Sequence, residues 1–274
     1  MQDFSASPRE MVASFWRNRS LIYVLSRREI LGCYRGSYFG ILWSFFNPLV
    51  MLVVYTFVFS QIFQSRWTPH GNSKVEFALV LFAGLIIFNI FSECLTQAPK
   101  LILNNINYVK KVAFPLEILP WITLYAALFH GCLSFLVWIM AYGLFFGAPH
   151  LTIIYIPLII LPFCLMVLGL SWILSSLGVY IRDIGQFIGI VISALMFTAP
   201  IFYPLTSLSE EYQRYIYLNP LTVPVQIIRD YIFWGLEPDT SLRLLITYWA
   251  VSLMTVWFGF FWFQKTRKGF ADAL

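Results

Sequence analysis

Few residues in this 274-residue chain have both the type and the spacing for chemistry. Glu93 and Asn89 lie four apart in an apolar run, so they share a helical face. A carboxylate inside a membrane span is a functional candidate by default. The competing reading puts Glu93 near a membrane boundary, solvated or paired with a basic neighbour. Of three histidines, His70 and His150 fall between apolar runs and only His130 falls within one. A single imidazole in apolar surroundings more often packs and hydrogen-bonds than catalyses. The chain has no Gly-Lys-Ser/Thr, so it does not bind ATP in the P-loop manner, and it has no HExxH, GxSxG or CxxC. No cofactor or metal is expected in this chain, and the expectation is that it is not an enzyme.

Basic residues are more informative. If 14–35 is helical, Arg17, Arg27, Arg28 and Arg35 fall within an arc of about 100°. The rest of that segment is Leu, Ile, Val and Tyr, so it would lie in the membrane interface with guanidinium groups toward phosphates. Simple anchoring to anionic lipid is one reading. The sharper one is recognition of a lipid-linked diphosphate, since Arg pairs bidentately with phosphate oxygens.

Two further segments have the composition of a protein-docking surface. One holds Lys110, Lys111, Phe114, Pro115 and Glu117, and the other is the short turn at Arg182 and Asp183. Aromatic residues make up 19% of the chain. Tyr55, Phe59, Phe91, Trp138, Tyr142, Phe197, Phe202 and Tyr203 are candidates to line a path for a sugar polymer. Aromatic walls hold C–H faces weakly enough to let a moving chain go.

The elements that must position these residues follow from hydropathy. Hydrophobic residues are 59% and charged residues 11% of the chain, with a mean hydropathy of +0.75. A soluble domain carries about 25% charged residues, so an ordinary globular enzyme is excluded. Apolar runs long enough to cross about 30 Å of hydrocarbon predict six spans: 41–63, 77–95, 121–146, 151–181, 184–203 and 244–263. Pro157 and Pro162 should bend the fourth. Residues 1–40 then form an N-terminal region with the interface helix, 41–264 the membrane domain and 265–274 a tail.

Alternating the spans from an inside N-terminus leaves thirteen Lys and Arg inside and five outside. That bias places both termini in the cytoplasm, and it explains the net charge of +5 without nucleic acid. The stretch 221–235 is too short to span and contains Arg229-Asp230. A charge at mid-bilayer costs about 2.5–3.5 kcal/mol. The reading is therefore one or two short re-entrant helices, buried against protein, before the sixth span. No internal repeat is present, so one chain makes half a pathway and a symmetric dimer completes it. Gly32, Gly36 and Gly40 allow either close helix approach or a flexible entry into the first span.

The run RREILGCYRGSYFGILWSFFNPLVMLVVYTFVFSQIF, residues 27–63, resembles the start of the polysaccharide-export permeases of the ABC-2 transporter family. Tyr34-Arg35, Gly36-Ser37, Leu42-Trp43 and Asn47-Pro48 carry the likeness. Lys110-Lys111, Phe114-Pro115 and Glu117 follow, then Arg182-Asp183-Ile184 and Asn219-Pro220-Leu221. The resemblance implies an all-α integral membrane homodimer of six-span chains, served by two copies of a separate ABC ATPase that holds ATP and Mg. It is most similar to the O-antigen exporters of the bacterial inner membrane, whose substrate is a polysaccharide on undecaprenyl diphosphate. Teichoic-acid and capsule exporters share these motifs, and lipid or drug exporters and a membrane enzyme acting on lipid-linked sugars are the remoter alternatives. Implied roles are lipid-diphosphate entry at Arg28, Tyr34 and Arg35, and ATPase coupling at Lys110, Lys111, Phe114, Glu117, Arg182 and Asp183. The implied glycan path runs by Tyr55, Phe59, Phe91, Phe197, Phe202 and Tyr203, and its outer exit lies at Asn219 and Arg229.

Overall fold

The structure, a computed structural model, describes residues 5–58, 74–110, 114–236 and 242–274. Among these residues every regular element is helical. Helix α1 spans Pro8–Cys33. Ser7 caps it, its hydroxyl accepting the Glu10 N–H at 3.2 Å, and Pro8 sits where no N–H is needed. The expected amphipathic helix therefore begins six residues earlier than 14. It also ends before Arg35, which lies in the turn that follows and not on the arc with Arg28.

That turn needs glycine. Gly36 and Gly40 have φ of 86° and 54°, a region that L side chains avoid. Nothing within the chain lies within 4 Å of a Cβ added at Gly32, Gly36 or Gly40.

Helix α2 (Trp43–Phe57) follows, then α3 (Lys74–Gln97), the short α4 (Ile106–Lys110), α5 (Leu119–Phe146) and α6 (Ile156–Tyr180). After these come α7 (Ile184–Thr198), the short α8 (Glu210–Ile216), α9 (Thr222–Ile232), α10 (Leu242–Thr266) and α11 (Phe270–Ala273). Among the described residues, five stretches are long and apolar enough to cross a membrane: Gly40–Phe57, Val75–Lys100, Leu116–Phe146, Leu151–Tyr180 and Leu242–Ala273. The run expected as a fifth span ends at Thr198, where Ala199-Pro200 stops the helix. Its 15 residues rise about 22 Å, short of the ~30 Å hydrocarbon thickness.

Helix α3 is the central post. Phe77 to Phe88 are buried around its whole circumference, because α2, α5, α6, α7 and α9 surround it. By contrast α2 is the least buried of the long stretches. Helices α6 and α10 approach closely, and glycines make it possible. A Cβ at Gly169 would collide with the Thr255 carbonyl, and one at Gly259 with the Gly169 carbonyl. Backbones in lipid approach closely where side chains are absent.

Pro157 lies in the first turn of α6, whereas Pro162 sits inside the helix, which continues through it. The Leu158 carbonyl, deprived of its partner by Pro162, accepts the Trp249 indole N–H at 3.1 Å instead. The same pattern satisfies other buried indoles. Trp138 donates to Leu79 O at 2.9 Å and Trp172 to Glu117 O at 3.0 Å.

Candidate functional site

Two polar cavities lie along α3. The first, of about 470 Å³, is enclosed by α1, the last turn of α3, the segment leading into α4, and the start of α5. Arg28 and Lys100 bring two cations to it against the single carboxylate of Glu29. Arg28 Nη2 donates to the Tyr108 hydroxyl at 3.4 Å, which holds the guanidinium across the opening. Asn104, Asn105 and Thr123 add neutral donors. This donor-rich wall can take a phosphate or diphosphate.

The second cavity, of about 570 Å³, lies between α2, α3 and α5. The Tyr34 hydroxyl is 3.1 Å from His130 Nε2, and His130 Nδ1 is 3.1 Å from both oxygens of Glu93. With Nδ1 protonated toward the carboxylate, Nε2 accepts from the Tyr34 O–H. Burial pushes the Tyr34 phenol above its ordinary value, so it stays a neutral donor. His130 and Glu93 keep 24% and 26% of their side-chain surface open, facing the cavity.

The residues expected at one diphosphate entry thus separate. Arg28 lies in the first cavity, Tyr34 in the second, and Arg35 is exposed in the turn beyond α1.

The expected docking segment divides as well. Lys111 lies outside the described residues, and Lys110 is described only as the last residue of α4. Phe114 is half-buried and stacks on Tyr108, with ring centroids 4.1 Å apart and planes at 10°. Glu117, expected in the same coupling segment, is buried. Its Oε2 accepts from Arg267 Nη1 at 2.6 Å and its Oε1 from Ser14 Oγ at 2.9 Å. Arg267 Nη2 reaches the Phe114 carbonyl at 3.0 Å. One carboxylate therefore ties α1, the segment before α5 and the C-terminal end of α10 together. Arg182 and Asp183 form the exposed turn between α6 and α7.

At the opposite end, Asn219 and Arg229, the residues expected at the exit, are both buried. Asn219 Nδ2 donates to Leu195 O and to Thr198 Oγ1, each at 2.9 Å, and its Oδ1 accepts the Leu221 N–H at 2.9 Å. Arg229 is 1% exposed and donates to Val80 O at 2.9 Å, Pro200 O at 2.5 Å and Ile201 O at 2.8 Å. Gly84 makes room for it, since a Cβ there would lie 2.6 Å from Arg229 Nη2. These two side chains pin α9 to α3 and to the end of α7. Burial draws the Arg229 guanidinium down to about 9, still cationic at neutral pH, and pushes the adjacent Asp230 carboxyl up to about 6.

The aromatic candidates scatter. Phe91 is 1% exposed in the core, and a side chain enclosed within one chain does not line a path, which corrects that expectation. Tyr55 is half-buried at the second cavity. Phe197 is exposed on α7 and stacks on Phe202 at 6.0 Å, while the Tyr203 hydroxyl donates to Thr198 O. Phe59 lies outside the described residues.

A family model described as ABC-2 type transporter matches residues 20–233. The chain belongs to the ABC-2 type transporter family. It is 27% identical to an O-antigen export system permease protein of Myxococcus xanthus over 269 residues, covering 96% of this chain and 99% of the relative. An O-antigen export system permease protein of Klebsiella pneumoniae is 26% identical, covering 93% of this chain and 95% of the relative. A polysialic acid transport protein of Escherichia coli is 26% identical, covering 85% and 89% respectively.

For an ABC-2 permease, the matched region contains both cavities, the α6–α7 turn and the pinned corner at Asn219 and Arg229. The sequence missed Lys100 and the joining of Glu93 to His130. Those two residues are 37 positions apart on separate helices, so no local spacing reveals them. The available signal was economy of charge. A carboxylate and an imidazole inside apolar spans need partners, and each was the other's nearest chemical match.

Proposed function

We propose that this chain is the membrane permease of an ABC exporter that moves a diphosphate-linked O-antigen polysaccharide outward across the bacterial inner membrane. The observation that carries this reading is the cavity beneath α1, where Arg28 and Lys100 converge at the end of a span. Two cations at the foot of an amphipathic helix suit an anionic head group that stays attached to a lipid in the bilayer. The O-antigen relatives, matched over 93–96% of this chain, supply the glycan class. The polysialic acid relative keeps a capsule exporter as the second reading.

In this reading both termini are cytoplasmic. A sixth span is made of α7 together with the non-helical residues 199–203, and α8 and α9 dip back from the periplasmic face. The chain divides into the N-terminal region 1–40, the membrane domain 41–264 and the tail 265–274. Two copies form the pathway, and the exposed faces of α2 and α7, including Phe197, are the surfaces left for them to share. Two copies of a separate ATPase, holding ATP and Mg, dock on Lys110, Lys111, Arg182 and Asp183. Glu117 relays their motion to α1 and α10 through its bonds to Ser14 and Arg267. The corner held by Asn219 and Arg229 shapes the exit through the backbone it fixes.

The test is gentle extraction from native membranes followed by mass identification of what co-purifies. A stoichiometric P-loop ATPase is expected. Recovery of the intact permease dimer without any ATPase would overturn the reading.

A further inference from the structure

The two cavities adjoin, because Gln97 in the last turn of α3 lines both. Their chemistries are complementary rather than repeated. The first has a cationic wall at Arg28 and Lys100. The second has the Glu93 carboxylate in its wall, backed by His130, with no Lys or Arg among its lining residues. A carboxylate repels phosphate oxygens and accepts hydroxyl protons, so the second cavity turns away the group that the first attracts.

Unspent hydrogen-bonding capacity points the same way. Asn47 and Asn89 are exposed at the second cavity, and neither side chain has a hydrogen-bond partner among the described residues. Each amide offers one acceptor and two donors. Tyr55 adds a ring at the same wall. A carboxylate, free amides and an aromatic face are what the vicinal hydroxyls and C–H face of a pyranose require. At about 570 Å³ the space is within the ~300–1,000 Å³ range of small-ligand sites.

We propose that the cavity around Glu93, Asn89 and Asn47 binds the sugar bonded directly to the diphosphate of the lipid-linked substrate, while Arg28 and Lys100 hold the diphosphate. This rests on the lipid-diphosphate reading given above and adds a site that reads the identity of the first sugar. Glu93 accepts from the sugar hydroxyls, and Asn89, one turn away on α3, supplies both donor and acceptor. His130 and Tyr34 are positioning residues. The imidazole fixes the carboxylate, and the Tyr34 hydroxyl fixes the imidazole from the turn between α1 and α2. A diphosphate lipid carrying no sugar leaves Glu93 and both amides without these partners, so the permease favours substrate that already bears its glycan.

The experiment compares affinities in lipid nanodiscs for the full-length permease with its co-purified partners. The probes are farnesyl diphosphate and farnesyl diphosphate bearing one N-acetylglucosamine or one galactose. The expected result is that a sugar-bearing probe binds about tenfold more tightly than the sugarless one, the size of one hydrogen bond to a charged group. Glu93→Gln and Asn89→Ala should each bring that ratio toward one, and Arg28→Ala should weaken all three probes while keeping the ratio. Asn89 is an exposed amide without a structural bond among the described residues, so Asn89→Ala tests the site even where Glu93→Gln disturbs folding. Equal binding of all three probes to the parent overturns this proposal alone. A ratio that survives both Glu93→Gln and Asn89→Ala does the same. If none of the probes binds, the lipid-diphosphate reading falls and takes this one with it.

Discussion

Replacing Glu117 by Gln keeps the side-chain volume and the acceptor for Ser14 but removes the charge that faces Arg267. In the native protein those two side chains are 9% and 12% exposed, so water does little to replace the lost partner. Breaking a buried ion pair by removing one member costs about 3–5 kcal/mol, because the remaining charge stays desolvated. Arg267 retains the Phe114 carbonyl at 3.0 Å, which places Glu117→Gln at the lower end, about 3 kcal/mol. Arg267→Gln should cost a similar amount, since it leaves a buried carboxylate held by Ser14 alone.

The double variant buries neither charge. Its loss should therefore be smaller than the sum of the single losses by about 2–3 kcal/mol, the coupling of neighbours in one network. Equilibrium unfolding in mixed SDS micelles, followed by the fluorescence of the ten tryptophans, measures all three variants. Additivity within about 0.5 kcal/mol would refute the argument that this pair binds α1, the segment before α5 and the end of α10 into one unit. In the proposed exporter the same single variants should hydrolyse ATP without proportionate export.

Gly259→Ala should separate α6 from α10 and lower the thermal midpoint by more than Gly189→Ala, where an added Cβ meets nothing within 4 Å; equal midpoints would contradict the close packing. Asp230 has a folded pKa of about 6 against an ordinary 3.8, so the stability its protonation confers is full below pH 3.8 and lost as pH rises through about 6. Asp230→Asn should flatten the stability profile over that window and exceed the parent above pH 7, as read by thermal unfolding across pH 4–8. Charge reversal at Lys110 and Lys111 should leave the assembled complex hydrolysing ATP while export falls, and unimpaired export would remove these residues from the coupling route.

Much of the scaffold was legible because lipid imposes it. Runs of apolar residues predicted all five long stretches, and the predicted 121–146 differs from α5 by two residues at one end. The fifth run was misjudged in length because Phe202 and Tyr203 continue the apolar composition after Pro200 has ended the helix. The cost of burying Arg229 correctly signalled a segment packed against protein. The acceptors, however, are backbone carbonyls, which sequence does not distinguish.

The tightly packed glycines were missed for a related reason. Gly32, Gly36 and Gly40 have a recognisable spacing yet serve a turn, whereas Gly169 and Gly259 face each other from helices 90 residues apart. Glu117 was grouped by composition with Lys110 and Lys111 in a segment suited to a protein partner. Its partner Arg267 lies 150 positions away, beyond any local pattern. The site divided in the same way. Arg28 was visible from helical periodicity, while Lys100, Glu93 and His130 became a site only when α3 and α5 were brought together.

The central claim is that this permease, driven by a separate ATPase, carries a diphosphate-linked polysaccharide through the membrane. The measurement that tests it most directly is delivery of such a glycan to the far side of proteoliposomes containing the purified permease and its ATPase. The account predicts ATP-dependent appearance of the glycan at the far face, abolished by Arg28→Glu. Transfer that proceeds equally without ATP, or no transfer by a complex that hydrolyses ATP and binds the lipid-linked glycan, would contradict it.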